Sequence, residues 1–80
     1  MSSSTNTEET ISGILREFGE LKGTIYPDKD LHTELGVKSV NFISILLALE
    51  DKFAISIEDS QFSKARTFNS LVSLVNGTVN

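Results

Sequence analysis

The sequence contains no cysteine and no tryptophan, and it has one histidine and one proline in 80 residues. Without cysteine there is no disulfide, and without a Cys/His cluster there is no structural zinc to brace so short a chain. Stability has to come from packed helices. The sequence has no G-x-S-x-G turn, no Walker-type phosphate loop, no dinucleotide fingerprint and no helix-borne pair of metal ligands. Any Ser-His-Asp arrangement would have to use His32, and a lone loop histidine reads as a solvated polar residue. A chain of this size hardly encloses the few hundred Å³ of a typical small-molecule site. It is a poor frame for an enzyme.

Positive charge is scarce as well. Seven Lys and Arg stand against eleven Asp and Glu, a net charge of -4. The basic residues Arg16, Lys22, Lys29, Lys38, Lys52, Lys64 and Arg66 are scattered singly, so no stripe awaits a nucleic acid or an anionic membrane. No apolar run approaches the roughly 18 to 20 residues of a membrane span. Residues 2–7 are polar and lack the basic and apolar regions of a signal peptide, which makes the cytosol the expected location.

What is present is helical pattern. Thr5 with Glu8, and Asn6 with Glu9, have capping-box spacing. Ile11, Ile14, Leu15, Phe18 and Leu21 follow at helical intervals, predicting a first helix over about 7–20, weakened by Gly13 and Gly19. Residues 22–38 show no clean period. They form a long loop punctuated by Gly23, Pro27 and Gly36, with Leu31 and Leu35 as its anchors to the core. A second helix is predicted from Ser39 to Phe53, with Phe42, Ile45, Leu46, Leu49 and Phe53 on one buried face. Val40, Ile43 and Leu47 form a second apolar stripe, leaving Asn41, Ser44, Ala48 and Asp51 as a narrow polar or small strip. That stripe either receives partners or packs against the first loop or a short third helix. Residues 54–57 read as an extended linker and residues 58–63 as a helical turn that tucks Phe62 inward. Thr67 caps a last helix that carries Phe68, Leu71, Val72 and Val75, and Gly77 stops it. The expected fold is an all-α bundle of three main helices and one short helix. The expected domain is 7–77, flanked by tails at 1–6 and 78–80.

One position combines these features. Ser39 ends the long loop and opens the most apolar helix, where free N–H groups and the helix dipole favour an anion such as a phosphodiester, with Lys38 beside it. Serine is also a preferred N-cap, and on position alone both readings stand.

The segment from Asp30 to Phe53 resembles the acyl carrier protein family and its peptidyl carrier relatives. The residues that carry the likeness are Asp30-Leu31, Glu34-Leu35-Gly36-Val37, Ser39-Val40 and Ala48-Leu49-Glu50-Asp51-Lys52-Phe53. Ile55-Ser56-Ile57-Glu58-Asp59 looks like the family's loop into its third helix, and residues 66–75 look like its closing helix. The resemblance implies that Ser39 receives 4′-phosphopantetheine, donated from coenzyme A by a phosphopantetheinyl transferase, with Lys38 and Val40 flanking the site. The arm's thiol would then hold an acyl or aminoacyl group as a thioester, so a chain without cysteine borrows its thiol.

The resemblance also implies a monomer without catalytic residues that serves loading, condensing or modifying enzymes of a polyketide-, fatty-acid- or peptide-type pathway. Val40, Ile43, Ser44, Leu47, Glu50 and Asp51 would meet those partners, with Glu50 and Asp51 as polar rim. Phe18, Phe42, Phe53, Phe62 and Phe68 either line a cleft for the acyl chain or fill it. Two departures stand out. Lys38 replaces the aspartate that commonly precedes the serine, and Asn41 and Ser44 stand where fatty-acid carriers place acids. An unmodified carrier-like protein that binds an enzyme through the same helix is the alternative.

Overall fold

A computed structural model describes residues 3–79, which form four helices: α1 Ser3–Glu17, α2 Asn41–Phe53, α3 Asp59–Lys64 and α4 Phe68–Val79. No strand occurs among the described residues. The expected three long helices, one short helix and long first loop are all present. α1 packs against both α2 and α4, and α4 also touches α2 and α3.

The helix boundaries differ from the sequence reading, and each difference has a local cause. α1 begins at Ser3, so Thr5 and Asn6 lie inside the helix and are not its caps. Residues 3–6, expected as tail, belong to this helix; residues 1 and 2 lie outside the described residues. Thr7 is already buried, so the helix meets the core from there on, although the Ser, Thr and Asn residues ahead of it have only modest helix propensity. At its other end α1 stops at Glu17. Glu20 takes the left-handed region with φ 55°, and the Leu21 N–H closes back on the Leu15 carbonyl at 3.1 Å.

Gly19 therefore sits past the helix and does not weaken it. It is needed for close approach, because a Cβ there would lie 2.6 Å from the Leu15 carbonyl oxygen and 3.1 Å from Ile45 Cδ1. Phe18, also past the helix end, turns outward and is 37% exposed.

α2 stops at Ala54, which adopts the left-handed conformation with φ 54°. The Ile55 N–H donates to the Glu50 carbonyl at 3.1 Å, the bond that closes many helix C-termini. α4 opens as expected, with Thr67 Oγ1 accepting the Ser70 N–H at 3.1 Å. It runs past Gly77 to Val79, so Thr78 and Val79 are helical and not tail. Asn80 lies outside the described residues.

The core is built from all four helices' neighbourhoods. Ile11 and Leu15 of α1, Ile45 and Leu49 of α2, and Leu71 and Val75 of α4 are fully buried. Each such side chain stabilises the fold by about 1.5–3 kcal/mol relative to exposure. Leu31 and Val37 from the long loop join them, at 0% and 1% exposed. The loop's anchors are thus Leu31 and Val37; Leu35 is only partly buried. Ala48, expected in the polar strip of α2, is buried as well, so the buried face of that helix is wider than its large apolar residues suggest.

Candidate functional site

The long loop holds its shape through Asp30. Its Oδ1 accepts the N–H groups of His32 and Thr33, both at 2.8 Å, and its carbonyl accepts those of Glu34 and Leu35, both at 3.0 Å. Glu34 Oε1 in return accepts the Asp30 N–H at 2.7 Å. This is a reciprocal capping arrangement around a single helical turn, 31–35. Gly36, at φ +84°, ends that turn, and the Val37 N–H returns to the Leu31 carbonyl at 2.8 Å.

The same Asp30 ties the loop to the junction before α4. Arg66 Nε donates to its Oδ2 at 2.6 Å and a second guanidinium nitrogen donates to Oδ1 at 3.3 Å. The Leu31 N–H donates to the Arg66 carbonyl at 2.8 Å, and the Asn69 N–H to the Pro27 carbonyl at 3.1 Å. The guanidinium, together with the two N–H groups, holds the Asp30 carboxyl far below the usual carboxylate range. A loop fixed this way delivers its last residues, Lys38 and Ser39, at a defined place.

Ser39 does not start α2. Ser39 and Val40 form a turn in which the Asn41 N–H donates to the Lys38 carbonyl at 2.9 Å and the Phe42 N–H to the Ser39 carbonyl at 3.1 Å. The tighter turn delays the helix to Asn41 and puts Val40 at the N-cap position, without a side-chain cap. Ser39 is exposed, and among the described residues its hydroxyl has no hydrogen-bond partner. The capping reading of Ser39 therefore fails. What remains is an exposed hydroxyl on the junction between an anchored loop and a helix.

His32 supports this junction from below. Its Nδ1 lies 2.7 Å from the Val37 carbonyl, which only accepts, so this ring nitrogen carries the proton. Its ring meets Phe42 edge-on at 6.3 Å, and Phe42 meets Phe62 of α3 in the same manner at 6.2 Å. Beside Ser39 these residues leave a cleft of about 270 Å³, lined by Phe42, Phe62, Ala65, Ser63, Asp30 and Arg66. A chain of this size was expected to lack such a space. It arises as a half-open gap between the start of α2 and α3, not as an enclosed cavity. Phe42 and Phe62 line it, Phe68 is buried in the core, Phe53 is partly buried and Phe18 is at the surface.

The residues expected to meet partners separate by exposure. Val40, Ile43 and Leu47 are 73%, 68% and 59% exposed, so the second stripe packs against neither the loop nor α3. Ser44 and Asp51 are exposed as well. Glu50 is half-buried, and its Oε2 accepts the Ile57 N–H at 2.9 Å, which braces the linker between α2 and α3. Of the two acids expected at that rim, Asp51 is exposed and Glu50 is engaged with the linker. Sequence reasoning missed the Asp30–Arg66 clasp, since nothing in the spacing of residues 36 positions apart announces a contact.

A family described as "Phosphopantetheine attachment site" matches residues 9–75. The chain is 34% identical to an acyl carrier protein of Exiguobacterium sibiricum over 78% of either chain. It is 26% identical to an acyl carrier protein of Micrococcus luteus over 88% of this chain and 91% of that one. A meromycolate extension acyl carrier protein of Mycobacterium leprae is 29% identical over 85% of this chain and 63% of its own length.

Proposed function

Because this chain belongs to the phosphopantetheine-attachment family of acyl carrier proteins, we propose that Ser39 bears the phosphopantetheine arm. The family's cofactor, 4′-phosphopantetheine, is held covalently, and the protein's role is that of a carrier. The single observation that supports Ser39 is its setting: an exposed, unpartnered hydroxyl on an anchored turn at the foot of α2. A transferase needs such a hydroxyl to attack the β-phosphate-side linkage of coenzyme A. The serine oxygen forms a bond to the phosphorus that bears pantetheine, the leaving group is adenosine 3′,5′-bisphosphate, and the serine proton goes to solvent.

The carrier's own work is then positioning. The arm is long and flexible, so the protein fixes only its root and presents a surface to enzymes that act on the thioester. Tethering replaces free diffusion by a high local concentration of cargo at each enzyme. The exposed stripe of Val40, Ile43 and Leu47, with Ser44 and Asp51 beside it, is the docking face in this reading. Docking there is mainly apolar burial. The cleft next to Ser39 gives part of the arm or a short cargo an apolar wall. The pathway is a specialised one of polyketide, fatty-acid or peptide type. A relative named for meromycolate extension fits a dedicated pathway of this kind.

Lys38 beside the serine favours one competing reading, a carrier-like protein that is never modified and binds an enzyme through α2. Co-expression with a phosphopantetheinyl transferase of broad specificity, followed by intact mass, separates the two. A single added phosphopantetheinyl group supports the carrier reading. A chain that stays unmodified, with Ser39 accessible, supports the competing one.

A further inference from the structure

The charges around Ser39 are distributed unlike those of the chain as a whole. The protein is acidic, at -4. Yet from Leu35 through Leu49 the only charged residue is Lys38. Three of the acids that flank this stretch are engaged elsewhere, whereas Asp28 and Asp51 are exposed. Asp30 is held by Arg66, Glu34 by Lys29 at 3.9 Å and by the Asp30 N–H, and Glu50 by the Ile57 N–H. Lys38 itself is exposed and makes no ion pair among the described residues.

An enzyme that acts on the root of an arm at Ser39 has to approach Lys38, since neighbouring Cα atoms are only about 3.8 Å apart. It meets an apolar stripe with the exposed Asp51 at the far end of α2 and one cation at its serine end. A basic docking face would be repelled there, and a carboxylate would be attracted.

We infer that Lys38 is a specificity-determining residue of the docking face. It selects protein partners whose contact patch is apolar at its centre and carries a carboxylate where it meets the base of the arm, and it disfavours partners with a basic patch. This rests on Ser39 as the attachment site. The sign is opposite to the one the net charge alone would predict, so the two are separable by experiment.

The test is a charge-swap cycle on modification of Ser39. The carrier is used as Lys38 and as Lys38→Glu. The probe is a phosphopantetheinyl transferase with a basic docking face, used unchanged and with its arginine nearest the carrier serine changed to glutamate. Rates are measured at about 20 mM and about 300 mM salt, which bracket a Debye length of about 10 Å. At low salt, kcat/KM of each opposite-sign pair should exceed that of the like-sign pairs by about tenfold, and high salt should reduce the difference to less than about twofold.

A native chain modified equally well by both transferases, or better by the basic one, overturns the inference. So does a preference that salt does not weaken. If neither carrier form accepts the arm from any transferase, the attachment reading fails first and the inference falls with it. That outcome is distinct from modification without charge preference.

Discussion

The two long faces of α2 are made of the same residue types and lie in opposite environments. Ile45 and Leu49 are fully buried, whereas Ile43 and Leu47 are 68% and 59% exposed. Hydrophobicity alone does not distinguish them. What distinguishes them is which face α1 and α4 cover and where the long loop is tied down. Asp30, Leu31 and Arg66 bind the loop to the base of α4, and the outer face of α2 stays open beside Ser39. One face holds the protein together, and the other is available to a partner.

The largest expected effect comes from emptying the buried face. Leu49→Ala should cost about 2–5 kcal/mol, the range for leaving a cavity in a packed core, as read by urea denaturation. A cost below about 1 kcal/mol would mean that the two faces do not differ as described. Gly19→Ala should follow, at about 1–3 kcal/mol, because its Cβ meets the Leu15 carbonyl oxygen and Ile45 Cδ1 and the backbone past α1 must shift. A neutral outcome in the same denaturation series would show that the close approach is relaxed in solution.

Smaller effects should come from the clasp that holds the loop. Asp30→Asn should lower stability at neutral pH, modestly because the pair is partly solvated. The Asp30 carboxyl is held below its ordinary range, so its stabilisation is complete above about pH 4 and is lost as the pH falls toward the folded-state value. The stability gap between native protein and Asp30→Asn should therefore be flat from neutral pH to about pH 5 and shrink in stronger acid. A gap that grows in acid would contradict the assignment. The smallest effect on stability belongs to the outer face. Ile43→Ser and Leu47→Ser should change it by less than about 0.5 kcal/mol, while slowing transfer of the arm to Ser39 several-fold. Unfolding of these variants would assign the stripe to the core.

Much of this contrast was legible in the sequence. The period of α2 separated Ile45 and Leu49 from Ile43 and Leu47, and the motif around Ser39 pointed to the site. Helix ends were less legible: α1 starts at Ser3, ahead of the capping-box residues, and Gly19 makes a close approach to Ile45 that no local pattern encodes. The apolar pattern starts α2 at Ser39, where a cap and an attachment site are both open; the tighter turn at Ser39 and Val40 moves the helix start to Asn41. Glu50 looked like a surface rim, and only the fold of the following linker shows it bonded to Ile57. The Asp30–Arg66 pair needed the tertiary structure entirely.

The central claim is that Ser39 carries the arm. Its most direct test is residue-level mapping of the modified protein by peptide fragmentation after incubation with coenzyme A and a broad transferase, with Ser39→Ala treated in parallel. The phosphopantetheinyl group should map to Ser39 alone, and Ser39→Ala should remain unmodified. A group on another serine, or one that persists in Ser39→Ala, would contradict the account.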